Sequence, residues 1–163
     1  MTARTSLILF TLAFVASSLV QLRPSAGARW LRANRRFFGL AFAFSHFVHA
    51  AALVALSQFD PALFDALTTP ASFIAGGLGY AVIVAMVATS FDGAARLVGP
   101  TAQRLTHQWG AWFLAVFFVF NFGRRAVVSP GMYWPYMLII FGAIVIRIVA
   151  ASRKSKGDAL PDY

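Results

Sequence analysis

The chain has 163 residues, of which 60% are hydrophobic and 15% aromatic, and its formal charge is +9 at pH 7. A soluble domain of this length cannot bury so large an apolar fraction, whereas a bilayer provides an apolar solvent for it. The composition therefore indicates an integral membrane protein. Its basic residues lie between apolar segments and in the tail, where they set membrane topology, so nucleic-acid binding is a poor interpretation. The sequence contains no cysteine, which excludes disulfides and thiolate metal sites.

The first of five apolar segments covers about residues 6–22 and has the length of a membrane-spanning helix. A cleaved signal peptide with Arg4 ahead of its apolar core is the alternative, but cleavage would leave no soluble domain to export. The loop that follows, residues 23–36, contains five arginines. Its Arg29 and Trp30 indicate an amphipathic turn at the membrane surface, and its charge predicts a cytoplasmic position.

The second predicted span covers about residues 37–57 and ends before Asp60 and Pro61, which favour the end of a helix. The loop at residues 58–70 has two Asp and no Lys or Arg, which predicts an outside position. The third span, about residues 71–90, contains Gly76, Gly77 and Gly79. Such small residues let a helix or a flat ligand come close to the backbone, and helix packing is the simpler explanation.

Residues 91–103, with Gly99 and Pro100, are predicted to form a loop before the fourth span, about residues 105–122. The fifth span covers about residues 134–150. With the amino terminus outside and the carboxyl terminus in the cytoplasm, 11 basic residues are cytoplasmic and 3 are outside. This asymmetry supports that orientation, although two of the outside residues, Arg124 and Arg125, are an exception to it. Together with the five apolar segments it predicts an all-α, five-helix transmembrane bundle. We expect this bundle to form a single domain over residues 1–163.

The three histidines of the chain, His46, His49 and His107, lie in the second and fourth predicted spans. Ionisable groups inside a membrane usually mark a cofactor, an ion path or a buried pairing. At 1.5 Å per residue, His46 lies about 15 Å and His49 about 20 Å above Arg36, and His107 lies about 5 Å above Arg104. His46 or His49 could bind the same ligand as His107 if the helices tilt or if the second helix starts later in the sequence than predicted.

Imidazoles from two helices on opposite sides of a b-type haem would provide its two axial ligands. The alternative for each histidine is a hydrogen bond to a backbone carbonyl or to a hydroxyl such as that of Ser45. A zinc site is less suitable because the predicted helices contain no carboxylate or thiol to complete a tetrahedral set. A proton relay would likewise need an intramembrane Asp or Glu.

Several segments of the sequence resemble the ferric reductase-like transmembrane family. The resemblance is greatest to the haem-binding membrane subunits of bacterial methionine sulfoxide reductase systems. It covers nearly the whole chain, and the family has one further amino-terminal span to which no segment of this sequence corresponds. The similar segments are Arg35-Arg36-Phe-Phe-Gly39-Leu40-Ala-Phe with His49 ten residues after Gly39, Leu7 to Leu22 followed by Arg23-Pro24, Ala88-Thr89-Ser90, Leu97-Val98-Gly99 to Leu105-Thr106-His107, and Tyr136 to Arg147.

The resemblance implies that His49 and His107 are axial ligands of a haem iron. The family's second histidine on the later haem helix would fall near Phe120 and Asn121, neither of which replaces an imidazole well. Either His107 then pairs with His46 or His49 at a single b haem, or haem binding has been lost. Height along the helix axis favours His46 as the partner of His107. The family spacing from Gly39 favours His49, which we take as the expected ligand.

The expected protein is therefore a multi-pass protein of a bacterial inner membrane, surrounded by lipid, that passes electrons through at most one haem. Because the chain has no Gly-rich phosphate loop or nucleotide-binding domain, its donor would be a quinol or a separate flavin reductase. A bound quinone or flavin is a further expectation, as is a soluble or periplasmic redox partner. The alternative is a non-catalytic membrane scaffold or assembly partner that kept the fold without the haem. In that case the chain has no enzymatic role.

Overall fold

The structure is a computed structural model that describes residues 2–158, with side chains described for residues 3–155. All secondary structure in this range is helical, which confirms the all-α class. Five helices are long and apolar enough to cross a membrane, as expected: their apolar spans are Ala3–Leu22, Arg35–Phe59, Pro70–Ala88, Asp92–Val128 and Pro130–Ser155. The helices are α1 (Thr2–Leu22), α2 (Ala26–Ala33), α3 (Arg35–Phe59), α4 (Pro61–Leu67), α5 (Pro70–Ala88), α6 (Asp92–Val128) and α7 (Pro130–Asp158).

Side-chain caps explain where the helices between the first and third spans begin. The Ser25 hydroxyl accepts a hydrogen bond from the Ala28 amide at 3.1 Å and starts α2. The Asp60 carboxylate accepts from the Leu63 amide at 3.0 Å and starts α4, inside the segment expected to be an outside loop. Each cap satisfies an amide that has no partner within its own helix.

Helix α6 is longer than the expected fourth span, because residues 92–104 are helical rather than a loop. The chain breaks regular helix geometry only at Gly99, whose φ of +80° is readily adopted by glycine. Pro100 follows and lacks an amide hydrogen, which costs little at the first position of a new helical segment. The two residues that suggested a loop therefore produce a kink between two helical segments.

The chain divides into two compact units. Unit 1 comprises Met1–Ser6 and Leu40–Phe117, and unit 2 comprises Leu7–Gly39 and Phe118–Tyr163. Helices α1, α3 and α6 each contribute to both units. All three histidines belong to unit 1.

Unit 1 contains close contacts between helices and hydrogen bonds that link one helix to another. The hydroxyls of Ser6 and Ser45 lie 2.9 Å apart and link α1 to α3, and Ser6 is fully buried. Helices α5 and α6 run antiparallel, so that Gly79 faces the Phe117 ring and Gly110 faces Met86 and Val82. Interhelical hydrogen bonds and small residues are the usual means of helix association in membranes.

Unit 2 has an aromatic core. The Phe10 ring centroid lies 5.2 Å from those of Phe14 and Phe118, and Phe118 contacts Phe122 at 5.9 Å. Phe122 in turn contacts the rings of Tyr133 and Tyr136 on α7. These offset and edge contacts are favourable ring geometries, so α1, α6 and α7 are joined by one continuous cluster.

Large apolar side chains are exposed along the spans. Phe44 on α3 is 72% exposed, Val116 on α6 is 64% exposed and Leu138 on α7 is 66% exposed. Apolar side chains of a membrane protein can face lipid tails, whereas in water they would have to be buried. The exposure therefore agrees with a multi-pass membrane protein.

Candidate functional site

His46 and His49 lie on one face of α3, one turn apart. Their ring centroids are separated by 5.7 Å, and both residues are partly buried. Residues three positions apart on a helix are neighbours on its surface, so the spacing in the sequence predicts this contact. The structure brings these two candidate ligands together.

Tyr80 on α5 holds the His46 end of this pair. Its hydroxyl donates a hydrogen bond of 3.0 Å to the backbone carbonyl oxygen of His46, and its ring centroid lies 5.1 Å from the His46 ring. Phe42 contacts the same imidazole at 5.5 Å. The His46 ring is therefore packed against three rings, those of Phe42, His49 and Tyr80.

His107 on α6 contacts a different part of α5. Its Nε2 lies 3.2 Å from the hydroxyl oxygen of Thr89, the residue that ends α5. That hydroxyl has a single proton, and it donates it to the Ala85 carbonyl oxygen at 2.8 Å. The direction of the contact with His107 depends on the imidazole tautomer: a protonated Nε2 donates to the Thr89 oxygen, and an unprotonated Nε2 accepts the hydroxyl proton instead.

Gln103 supports the same helix end. Its side-chain amide donates a hydrogen bond of 2.7 Å to the Thr89 carbonyl oxygen, which no longer has a partner within α5. His107 and Gln103 are one turn apart on α6. Together they cap the carboxyl end of α5, which gives His107 a structural role.

Helix α5 also shows how far apart the histidines lie along the bundle axis. Tyr80 contacts His46 and Thr89 contacts His107. From residue 80 to residue 89 the helix rises about 13 Å at 1.5 Å per residue, which is two and a half turns. His46 and His107 therefore contact α5 at positions about two and a half turns apart.

The residues fit a haem in the kind of donor they provide, because imidazole nitrogen is a suitable axial ligand for haem iron. His46 and His49 on α3 supply such donors among aromatic side chains. Two imidazoles can share one iron only if a nitrogen of each reaches it. The assignment of His46, His49 and His107 as haem ligands stays a prediction. Within residues 2–158, no group of three or more His, Cys, Asp or Glu side chains could hold a metal ion.

Phe120 and Asn121 occupy the position at which the family pattern has a further histidine. Phe120 is 62% exposed, and the Arg124 guanidinium carbon lies 5.8 Å from its ring centroid. Asn121 is partly buried.

Sequence reasoning missed Tyr80 and Thr89, the two residues that contact the histidines from α5. A tyrosine in the middle of an apolar span was the available signal for Tyr80, since a buried phenol usually has a hydrogen-bond partner. It also missed Gly110 as a point of close approach. Of the glycines it singled out, Gly79 meets a neighbouring ring, whereas a side-chain carbon at Gly76 or Gly77 would enter open space.

Comparison with known proteins found no relative of this chain. No family model, no curated protein and no solved structure matches the chain.

Proposed function

We propose that this protein is a membrane electron-transfer protein of the ferric reductase-like type that holds at most one b-type haem. The observation that carries the proposal is the His46 and His49 pair, two imidazoles on one face of an apolar helix. Ionisable side chains within membrane spans are costly and usually functional. A bound haem would supply one-electron redox chemistry.

His49 is the proposed axial ligand of the iron. Its distance from Gly39 matches the family spacing, and the ring of His46 is already packed against Phe42 and Tyr80. We assign His46 and Tyr80 to positioning the ligand-bearing turn of α3. His107 is the second ligand implied by the sequence resemblance, and its imidazole lies beside the Thr89 hydroxyl at the end of α5.

The electron donor is proposed to be a quinol or the flavin of a separate reductase, and a periplasmic or soluble protein would be the acceptor. The chain has no Gly-rich phosphate-binding loop of its own. A location in a bacterial inner membrane is part of the same proposal and rests on the family resemblance together with the five apolar helices.

A non-catalytic scaffold without haem is the second candidate function. The observation that favours it is the hydrogen bond between the His107 imidazole and the Thr89 hydroxyl, which links α6 to the end of α5. The absence of an imidazole at Phe120 and Asn121 agrees with the same idea. In this case the protein would assemble with a partner through its helices and transfer no electrons.

A visible absorption spectrum distinguishes the two candidates. We expect the protein purified after expression with a haem precursor to show a Soret band and, after dithionite, the α band of a reduced b haem. A folded but colourless protein would favour the scaffold. A low-spin bis-histidine spectrum that disappears in His107→Ala would assign the second axial ligand to His107.

The proposed orientation places the amino terminus outside and the carboxyl terminus in the cytoplasm. It rests on the division of 11 cytoplasmic and 3 outside basic residues. We expect a reporter that is active only in the cytoplasm to be active when fused after Tyr163, and inactive when fused within residues 60–69. A periplasmic carboxyl terminus would contradict either the orientation or the number of spans.

A further inference from the structure

The segment between the first two spans, residues 23–36, combines positive charge with exposure. It contains five arginines and no acidic residue, so its own sequence supplies a charge of +5. Arg23, Arg29 and Arg32 are exposed, and Trp30 is 60% exposed. None of these side chains belongs to the proposed haem site. The segment therefore has a cationic surface to which the proposed function assigns no role.

Helix α2 carries this surface and has two different faces. Ala28 and Leu31 lie three residues apart and are both buried, so they form the face of α2 that packs on the protein. Arg29 and Arg32 also lie three residues apart, and both are exposed, so their guanidinium groups can reach one anion. The helix is thus amphipathic, with its arginines outside the apolar face.

Two contacts hold the exposed side chains of α2 in place. The Arg29 guanidinium donates a long hydrogen bond of 3.5 Å to the carbonyl oxygen of Pro24, which keeps it beside the residue that follows Arg23. The Trp30 ring meets the Phe38 ring edge-on at a centroid distance of 5.9 Å. A guanidinium group has five N–H donors, so Arg29 retains donors for a second acceptor.

Short connections fix the depth of α2 in a membrane. Only residues 23–25 connect α1 with α2, and only Asn34 separates α2 from Arg35, the first residue of the second span. Because an extended residue covers at most about 3.6 Å, the carboxyl end of α2 lies within roughly 7 Å of that span. The headgroup layer on each side of the hydrocarbon is about 5–8 Å thick. Trp30 and Arg32 are therefore kept at headgroup depth.

We propose that Arg23, Arg29 and Arg32 bind the phosphate group of an anionic phospholipid, with the Trp30 ring between the headgroups. A guanidinium group can donate two parallel hydrogen bonds to phosphate oxygens. A zwitterionic lipid such as phosphatidylcholine fits less well, because it brings its own cation next to the phosphate. An acidic soluble protein also fits less well, since exposed arginine and tryptophan on a short amphipathic helix are typical of segments among lipid headgroups. The site does not involve haem and would exist in either candidate function.

The test is lipid binding by the delipidated full chain in detergent, measured by native mass spectrometry. The probes are phosphatidylglycerol, phosphatidylcholine and inorganic phosphate. We expect phosphatidylglycerol to bind more tightly than phosphatidylcholine. Arg29→Gln and Arg32→Gln should each weaken phosphatidylglycerol binding about fivefold, which is the usual contribution of one arginine near an anionic membrane surface. Because both side chains are exposed, the melting temperature without lipid should stay unchanged.

Arg124→Gln is the matched control, because it removes the same charge from an exposed position of unit 2 that the proposed topology places at the other membrane surface. It should keep the affinity of the unchanged protein. Equal binding of the two lipids, or an equal loss in Arg124→Gln, would overturn the site. Full competition by inorganic phosphate at the lipid concentration would overturn the assignment to lipid. Binding of poly-glutamate that depends on Arg29 and Arg32, without a lipid preference, would assign the surface to an acidic protein instead.

Discussion

Replacing His49 with alanine should remove the haem absorption of the purified protein, because we propose that His49 supplies the axial ligand from α3. His46→Ala should retain measurable haem at reduced content. The His46 ring lies between the Phe42 and Tyr80 rings, with centroid distances of 5.5 Å and 5.1 Å. Its loss would loosen the turn that carries His49 without removing the ligand.

The variant His107→Ala distinguishes between two expectations, namely that His107 is a second axial ligand of the haem iron and that it is not. The sequence resemblance expects this variant to lose a bis-histidine spectrum. The structure instead places His107 at the end of α5, hydrogen-bonded to Thr89, so we expect its removal to leave the haem content unchanged and to lower stability by about 1 kcal/mol.

The measurement is the ratio of Soret to protein absorbance for the three variants, with membrane expression and elution as a single species as controls for folding. Retention of the unchanged spectrum in His49→Ala together with its loss in His46→Ala would transfer the ligand role to His46. Loss of the spectrum in every variant, including His107→Ala, would favour a shared iron over the separate levels described for α3 and α6.

Gly110→Leu should be among the most destabilising substitutions in unit 1. A side-chain carbon at Gly110 would lie 2.6 Å from the Met86 sulfur and 3.1 Å from a Val82 methyl carbon. The methionine end can move, but the Val82 side chain is stiff, so a leucine would push α5 and α6 apart. Overpacking of this kind costs about 1–3 kcal/mol.

Gly77→Leu is the control for this prediction. Gly77 belongs to the same unit, and a side-chain carbon there would enter open space. We expect its melting temperature in detergent to remain near that of the unchanged protein. That of Gly110→Leu should fall by roughly 2–4 °C for each kcal/mol lost. Equal melting temperatures for the two variants would show that α5 and α6 are not tightly packed at Gly110.

The sequence alone predicted the helical class and the approximate positions of five helices that are long and apolar enough to cross a membrane. These follow from the length of each apolar run and from local signals, such as Asp60 and Pro61 after α3. The pairing of His46 with His49 was also predictable, because a spacing of three residues places two side chains on one helical face.

The continuation of α6 through Gly99 and Pro100 was not predictable in this way. Both residues favour a break, and they do interrupt regular geometry at Gly99. Whether helix resumes at once or after a loop depends on what the next turn packs against. Here that turn carries Gln103 and His107 to the end of α5, where they cap Thr89.

The relative levels of the histidines were decided by the tertiary structure. A sequence specifies how high a residue stands on its own helix, but the offset between two helices depends on how their side chains interlock. The close contact of Gly110 with Met86 and of Gly79 with Phe117 sets that offset for α5 and α6.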